Sequence, residues 1–161
     1  MAALGIDVFQ YFGLGCRNVS KLYLPEGFNF HPLLEAFHEF KEIVLNDKYK
    51  NNFDYNYTLL ILNKIKYEAN GCILMTEDTS LQSRIAQLHY EYYSNIGDLT
   101  EKVSLKKDDI QCIVSEMELP LSNTIPFGKA QSPGLDDYAD GVDVIDFLLK
   151  LPGKKEVLLN N

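Results

Sequence analysis

Residues 4–27, LGIDVFQYFGLGCRNVSKLYLPEG, contain the change of pattern on which the fold depends. Apolar residues from Leu4 to Phe12 recur at helical spacing, which predicts a helix over residues 4–13 that glycines at 13 and 15 end. Residues 19–24 then alternate, and the Pro-Glu-Gly that follows is a turn signal, so this segment predicts a short strand. The sequence therefore places Cys16 on a connection from a helix to a strand.

Helices and strands are expected to alternate along the rest of the chain. Amphipathic spacing predicts helices over residues 31–45, 54–68, 98–106 and 138–149, the last of which buries Val142, Ile145 and Leu149. The polar stretch 46–52 reads as a connection, and apolar runs predict strands over residues 72–75, 88–93 and 110–115. This order predicts an α/β fold, a layered sheet with flanking helices, in a single domain over residues 1–161.

Composition and charge exclude several classes of partner. With 15 Lys and Arg against 23 Asp and Glu, the net charge of -8 repels polyanions, so nucleic acid is not an expected partner. No segment approaches the roughly 20 apolar residues of a membrane span, and the N-terminus lacks a signal-peptide pattern. We therefore expect a cytoplasmic protein without a membrane span.

The three cysteines are expected to be reduced thiols. Cys16, Cys72 and Cys112 are odd in number, far apart and without CxxC spacing, so neither a disulfide framework nor a zinc site is predicted. Cys72 and Cys112 lie in apolar runs typical of inert, buried thiols. The five aspartates of residues 136–146 fit helix capping and a solvated helix face better than a calcium loop. No metal site is expected.

The glycine-flanked segment 13–18, GLGCRN, is the strongest candidate for chemistry. Glycines permit a close backbone approach, so Cys16 can present its sulfur and its own N–H to a carbonyl, as acyl transfer through a thioester requires. The charge of Arg17 favours a thiolate. A packed, unreactive cysteine is the competing interpretation of the same pattern. His89, in LHYEYY, is either a base near a pocket or a half-buried, hydrogen-bonded histidine.

The run DVFQYFGLGCRNVSKLYLPEGFNFHPLLEAF, residues 7–37, resembles the active-site segment of acyl-CoA reductases. These reductases belong to the aldehyde dehydrogenase superfamily and include the enzymes that supply fatty aldehyde for bacterial luminescence. The stretches IQCIVSE (110–116) and FGKAQSPGLDDYADGVDVIDFLLKL (127–151) resemble the closing part of such reductases. The resemblance implies the catalytic domain of the aldehyde dehydrogenase fold, with its most specific part at residues 13–27.

The resemblance implies a two-step reduction of acyl-CoA to aldehyde. Cys16 would be the nucleophile that forms an acyl thioester, with Arg17 and Asn18 beside it in the catalytic site and His89 as a weaker candidate. NADPH or NADH would supply the hydride in the intact enzyme. The Glu-Glu and Phe-Gly-Pro motifs of hydrolytic aldehyde dehydrogenases do not occur in this sequence, which fits a reductase that does not activate water.

The resemblance also implies that much of the site lies elsewhere. In the superfamily the cofactor domain and an oxyanion-binding Asn precede the cysteine, whereas 15 residues do so here, and we find no Gly-rich dinucleotide fingerprint. We therefore expect a catalytic portion that binds no nicotinamide and is inactive alone. A non-catalytic interaction module and a small cysteine acyltransferase or thioesterase remain alternatives. Exposed apolar surface around residues 8–16 predicts a homo-oligomer.

Overall fold

The computed structural model describes residues 1–121, 124–135, 137–138 and 142–151. Within these residues the helices are α1 (Ala2–Phe9), α2 (His31–His38), α3 (Asp47–Leu62), α4 (Ile96–Ser104) and α5 (Val144–Lys150). The strands are β1 (Lys21–Pro25), β2 (Glu68–Ala69), β3 (Leu74–Glu77), β4 (Gln87–Tyr93), β5 (Ile113–Val114) and β6 (Thr124–Ile125). Short 3₁₀ turns follow α1, α2 and α4.

A four-stranded sheet in the order β1-β4-β3-β2 forms the centre of the molecule. β4 pairs in parallel with both β1 and β3, and β2 adds an antiparallel edge. β5 and β6 form a separate parallel pair of two residues each. The chain is therefore a mixed α/β protein with a mostly parallel sheet and flanking helices, and this level of the predicted fold is confirmed.

The main apolar core lies between α1, α2 and one face of the sheet. Leu22 and Leu24 of β1 share this face with Leu88 and Tyr90 of β4, because paired residues of parallel strands point to the same side. Helix α1 contributes Phe9, whose ring packs edge-on against Phe37 and is stacked on Phe40. Phe37 is completely buried. These aromatic contacts fix how α1 enters the segment that contains Cys16.

A second apolar cluster joins α3 to β3. Tyr49, Phe53 and Leu60 are buried on one side of the helix with Leu74 of β3. The Tyr49 hydroxyl donates a hydrogen bond to the carbonyl of Cys72 at 2.8 Å. Burial raises the pKa of the Cys72 thiol to about 11, and the buried position that its apolar run predicted is confirmed.

The opposite face of the sheet carries a charged network that holds α4. The ammonium group of Lys21, with a side chain only 4% exposed, lies 3.0 Å from a Glu91 carboxylate oxygen. Lys102 of α4 approaches the other oxygen at 3.5 Å and donates to the carbonyl of Tyr92. Burial lowers the pKa of Lys21, and Glu91 opposes that shift. The network couples α4 to the two parallel strands through charge-assisted contacts.

Several predicted boundaries are wrong for local reasons. Helix α3 begins at Asp47, because the Asn46 side chain accepts a hydrogen bond from the Tyr49 N–H and caps it, so the polar stretch 46–52 is mostly helical. It ends at Leu62, and residues 68–69 are strand rather than helix. The helix predicted over 31–45 ends at His38, and a 3₁₀ turn over residues 41–45 replaces its second half.

The predictions for the C-terminal third are less accurate. The strand predicted over 110–115 contains only two strand residues, Ile113 and Val114. The predicted last helix is present as α5, but Val142, Ile145 and Leu149 are exposed rather than buried. Part of the predicted start of that helix, residues 139–141, lies outside the described residues. The amphipathic pattern of this segment predicted the helix correctly, but it did not show whether another part of the chain packs on the apolar side.

We predict that the Glu91 network makes the protein less stable in acid. Burial raises the pKa of Glu91. The hydrogen bond and charge of Lys21 and the charges of Lys102 and Lys106 lower this pKa by more, so it lies below the ordinary 4.5. The contribution of Glu91 is therefore present above about pH 4.5 and is lost as the pH falls through its folded-state value. Between about pH 6 and about pH 3, urea unfolding should show a smaller loss of stability for Glu91→Gln than for the wild type.

The matched control is Glu101→Gln, which changes an exposed carboxylate of α4. Its loss of stability over the same pH range should equal that of the wild type. Equal losses for all three proteins would show that the Glu91 network does not contribute.

Candidate functional site

Cys16 lies on the connection between the first helix and the first strand, as the sequence predicted. The connection runs from the 3₁₀ turn Gln10–Gly13 to β1, and the Cys16 residue is exposed. The N–H of Asn18 donates to the carbonyl of Gly15 at 3.0 Å, which closes a tight turn around Cys16 and Arg17. The thiol is therefore on the surface, and not in the middle of a helix or strand.

Three consecutive residues before this turn have left-handed backbone angles. Tyr11, Phe12 and Gly13 have φ of 54°, 61° and 70°. Glycine adopts this conformation freely, so Gly13 takes its positive φ without strain. For bulky residues it costs on the order of 1–3 kcal/mol each. Surrounding contacts must therefore hold the chain in this path between α1 and Cys16.

The buried carboxylate of Asp7 provides such contacts. Asp7, on α1, is 1% exposed, and its two oxygens accept hydrogen bonds from the N–H of Gly128 at 2.6 Å and of Ala130 at 2.9 Å. Its own carbonyl accepts from the N–H of Val19 at 3.3 Å. One residue thus joins α1, the segment 128–130 and the approach to β1, and the Cys16 turn lies between two of these attachments.

Gln131 covers the inner side of the turn. A Cβ placed on Gly15 would lie 2.6 Å from Gln131 Cδ, so the absence of a side chain at position 15 makes room for this carboxamide. The amide nitrogen of Gln131 and the amide oxygen of Asn18 are buried, and neither has a hydrogen-bond partner among the described residues. One donor and one acceptor that are buried at this turn are therefore left without a partner among the described residues.

The Arg17 side chain lies near the Cys112 thiol, although Cys16 is its neighbour in sequence. Its guanidinium forms an ion pair with Asp137 at 3.8 Å. Burial raises the pKa of the Cys112 thiol, and the charge of Arg17 opposes that shift. Arg17 therefore attaches the later segment to the Cys16 turn and brings half-buried Cys112 into the same neighbourhood.

His89 is a buried histidine in the middle of the sheet. It is paired in register with Lys21 of β1 and Thr76 of β3, and its Nδ1 is 3.2 Å from the carbonyl of Ser80. Its backbone N–H donates to the carbonyl of Ser20. These contacts agree with the hydrogen-bonded histidine that was one of its two interpretations.

Sequence reasoning did not identify Asp7 or Gln131 as part of this site. Asp7 lies three residues after Leu4 and next to Val8 on the buried side of an apolar helix, and an isolated acid there was a usable signal. Gln131 had no such signal, because the chain folds it back over Gly15 from 116 residues away in sequence.

One cavity of about 170 Å³ lies at the end of α4, lined by Val103, Lys107, Ile110, Ile113 and Leu121 among others. We call it the Val103 pocket; residues 13–18 do not line it. Within the described part of the chain, no group of three or more His, Cys, Asp or Glu side chains is placed to hold a metal ion. No helix of that part is long and apolar enough to span a membrane.

No protein-family model matches the sequence, and no curated protein matches it.

We predict that the Asp7 carboxylate stabilises the whole Cys16 region. Asp7→Ala removes the acceptor of two backbone N–H groups in a buried position, so the free energy of unfolding should fall by about 3 kcal/mol. Urea denaturation followed by circular dichroism measures this change. The control Asp54→Ala, at an exposed carboxylate of α3, should change stability by no more than about 0.5 kcal/mol. Similar effects of the two substitutions would contradict the anchoring role.

Proposed function

We propose that this chain is the cysteine-bearing catalytic portion of an acyl-CoA reductase of the aldehyde dehydrogenase superfamily. The proposal rests on the position of Cys16, which is exposed on a hydrogen-bonded turn between α1 and the first strand of a mostly parallel sheet. The motif resemblance of residues 7–37 and the mixed α/β architecture support the finer assignment to the aldehyde dehydrogenase catalytic domain. We also propose a cytoplasmic location, on the absence of a membrane-span and a signal-peptide pattern in the sequence.

The chemistry proposed for this chain is transfer of an acyl group to Cys16. The thiolate attacks the carbonyl carbon of an acyl-CoA thioester, and a tetrahedral oxyanion forms. Its collapse breaks the bond to the CoA sulfur, and CoA leaves as a thiolate that takes up a proton from water. The acyl group remains as a thioester on Cys16, with no net oxidation or reduction in this step.

The exposed position of Cys16 admits a long substrate, and the backbone N–H of Cys16 itself is the donor proposed for the acyl oxygen. The unpaired polar atoms of Gln131 and Asn18 are buried at the same turn, so neither is assigned a contact with the substrate. Arg17 is occupied by Asp137, so its proposed role is to position the turn rather than to contact the substrate.

The residues of this chain do not fit a nicotinamide cofactor, because a dinucleotide needs a phosphate cradle at a strand-to-helix turn and the sequence has no Gly-rich fingerprint for one. Reduction of the acyl group to aldehyde is proposed for the intact enzyme only.

The thioesterase or acyltransferase alternative is less well supported. It requires a histidine base beside Cys16, and His89, the buried candidate, is engaged with Ser80 in the interior of the sheet. A reductase that passes its acyl group to hydride has no such requirement, so the engagement of His89 with Ser80 favours the reductase.

We predict that acyl-CoA acylates this chain at Cys16. Intact-mass spectrometry after incubation with a fatty acyl-CoA should show one added acyl group, and free CoA should appear in equal amount. Cys16→Ala should abolish both signals. Cys112→Ser, the matched change at the other thiol near Arg17, should leave them unchanged. Absence of acylation in the wild type, or its survival in Cys16→Ala, would contradict the proposed role.

A further inference from the structure

The guanidinium of Arg17 has few partners for an enclosed charged group. The Arg17 side chain is only 12% exposed, and a guanidinium carries five N–H donors that need acceptors when water is largely excluded. In the part of the chain that the structure describes, this group makes an ion pair with Asp137 and no hydrogen bond. The residue next to Cys16 is therefore a charged donor group with unused capacity.

The ion pair between Arg17 and Asp137 is long. Arg17 Nη1 lies 3.8 Å from Asp137 Oδ2, which is beyond the roughly 2.7–3.2 Å of an N–H···O hydrogen bond. The same oxygen accepts a hydrogen bond from the N–H of Gly134 at 2.8 Å, so the carboxylate is held mainly by its own turn. Asp137 is also 47% exposed, and water weakens a pair of this kind. An anion from solution can therefore compete with Asp137 for Arg17.

The donors of Arg17 suit a phosphate group better than a free carboxylate. Asp7, the buried acid of the same region, has both oxygens occupied by the N–H groups of Gly128 and Ala130. Asp137 belongs to the same chain, so its effective concentration exceeds that of a free carboxylate of equal charge. A phosphoryl group carries a charge of about −1.5 to −2 at neutral pH, and a guanidinium binds it through two parallel hydrogen bonds. A phosphate is therefore the stronger competitor.

We propose that the Arg17 guanidinium is a phosphate-binding site, at which the bound phosphate replaces the Asp137 carboxylate. Its occupation breaks the attachment of Asp137 to the Cys16 turn. The hydrogen bonds from residues 128 and 130 to Asp7 do not involve Arg17 and remain, so only the later part of this segment is released. The phosphate thus acts on the surroundings of Cys16 as a regulator. The proposal does not depend on acyl transfer, in which Arg17 positions the turn.

NMR of the arginine side chains tests the proposal, because the chain has two arginines, Arg17 and Arg84. Inorganic phosphate replaces sodium chloride stepwise at constant ionic strength and pH. The Arg17 Nε–H signal, assigned by its loss in Arg17→Lys, should shift and reach saturation in the millimolar range. Arg84 is exposed and pairs with no acid among the described residues, so its signal reports general attraction of anions and should move far less.

Asp137→Asn tests the competition with phosphate. It removes the charge that phosphate must replace, so phosphate should bind Arg17 at least about threefold more tightly than in the wild type. The matched control Asp54→Asn changes an exposed carboxylate that pairs with Lys50, and it should leave the phosphate affinity unchanged. Equal shifts of the two arginine signals, or an equal gain in affinity in both variants, would show a general charge effect and overturn the proposal. So would the absence of a saturable Arg17 shift in both the wild type and Asp137→Asn.

Discussion

The carboxylate of Asp7 is the constraint on which the rest of the candidate site depends. A buried acid is stable only when its oxygens are satisfied, and here the N–H groups of Gly128 and Ala130 satisfy them. Residues 128–130, more than 100 positions later in the sequence, therefore pack against α1. Gln131 follows directly and covers Gly15, so the surroundings of Cys16 include residues more than 100 positions away in sequence.

Strained backbone and buried polar groups occur together at this turn. Tyr11 and Phe12 hold left-handed conformations that cost free energy, while Gln131 and Asn18 leave buried polar atoms unpaired. Such features are commonly concentrated where a protein binds or reacts. The apolar side chains of Val8 and Phe9 are buried, so the exposed surface expected around residues 8–16 consists of Tyr11, Phe12 and Leu14. The association of copies of this chain through that surface stays a prediction.

The sequence predicted features that depend on local pattern and missed those that depend on distant packing. The Cys16 connection, the strand at 87–93 and the α/β class follow from periodicity and glycine position. The start of α3 depended on one capping side chain, Asn46, in a stretch whose composition suggested a connection. Phe40, two residues after the end of α2, stacks on Phe9, and this contact lies outside any single window of sequence. The exposure of α5 likewise depends on which parts of the chain lie near the helix, and the sequence pattern of the helix does not show that.

Selective protection of thiols by substrate tests the central claim most directly. The account predicts that Cys16 is alkylated before Cys112, and that Cys72 reacts only when the protein unfolds, because burial and a raised pKa suppress the last two. Saturating acyl-CoA should strongly slow the alkylation of Cys16 and leave that of Cys112 unaffected. Free CoA in place of acyl-CoA should not slow the alkylation of Cys16. Alkylation of Cys16 at the same rate with and without acyl-CoA would contradict its assignment as the acyl acceptor.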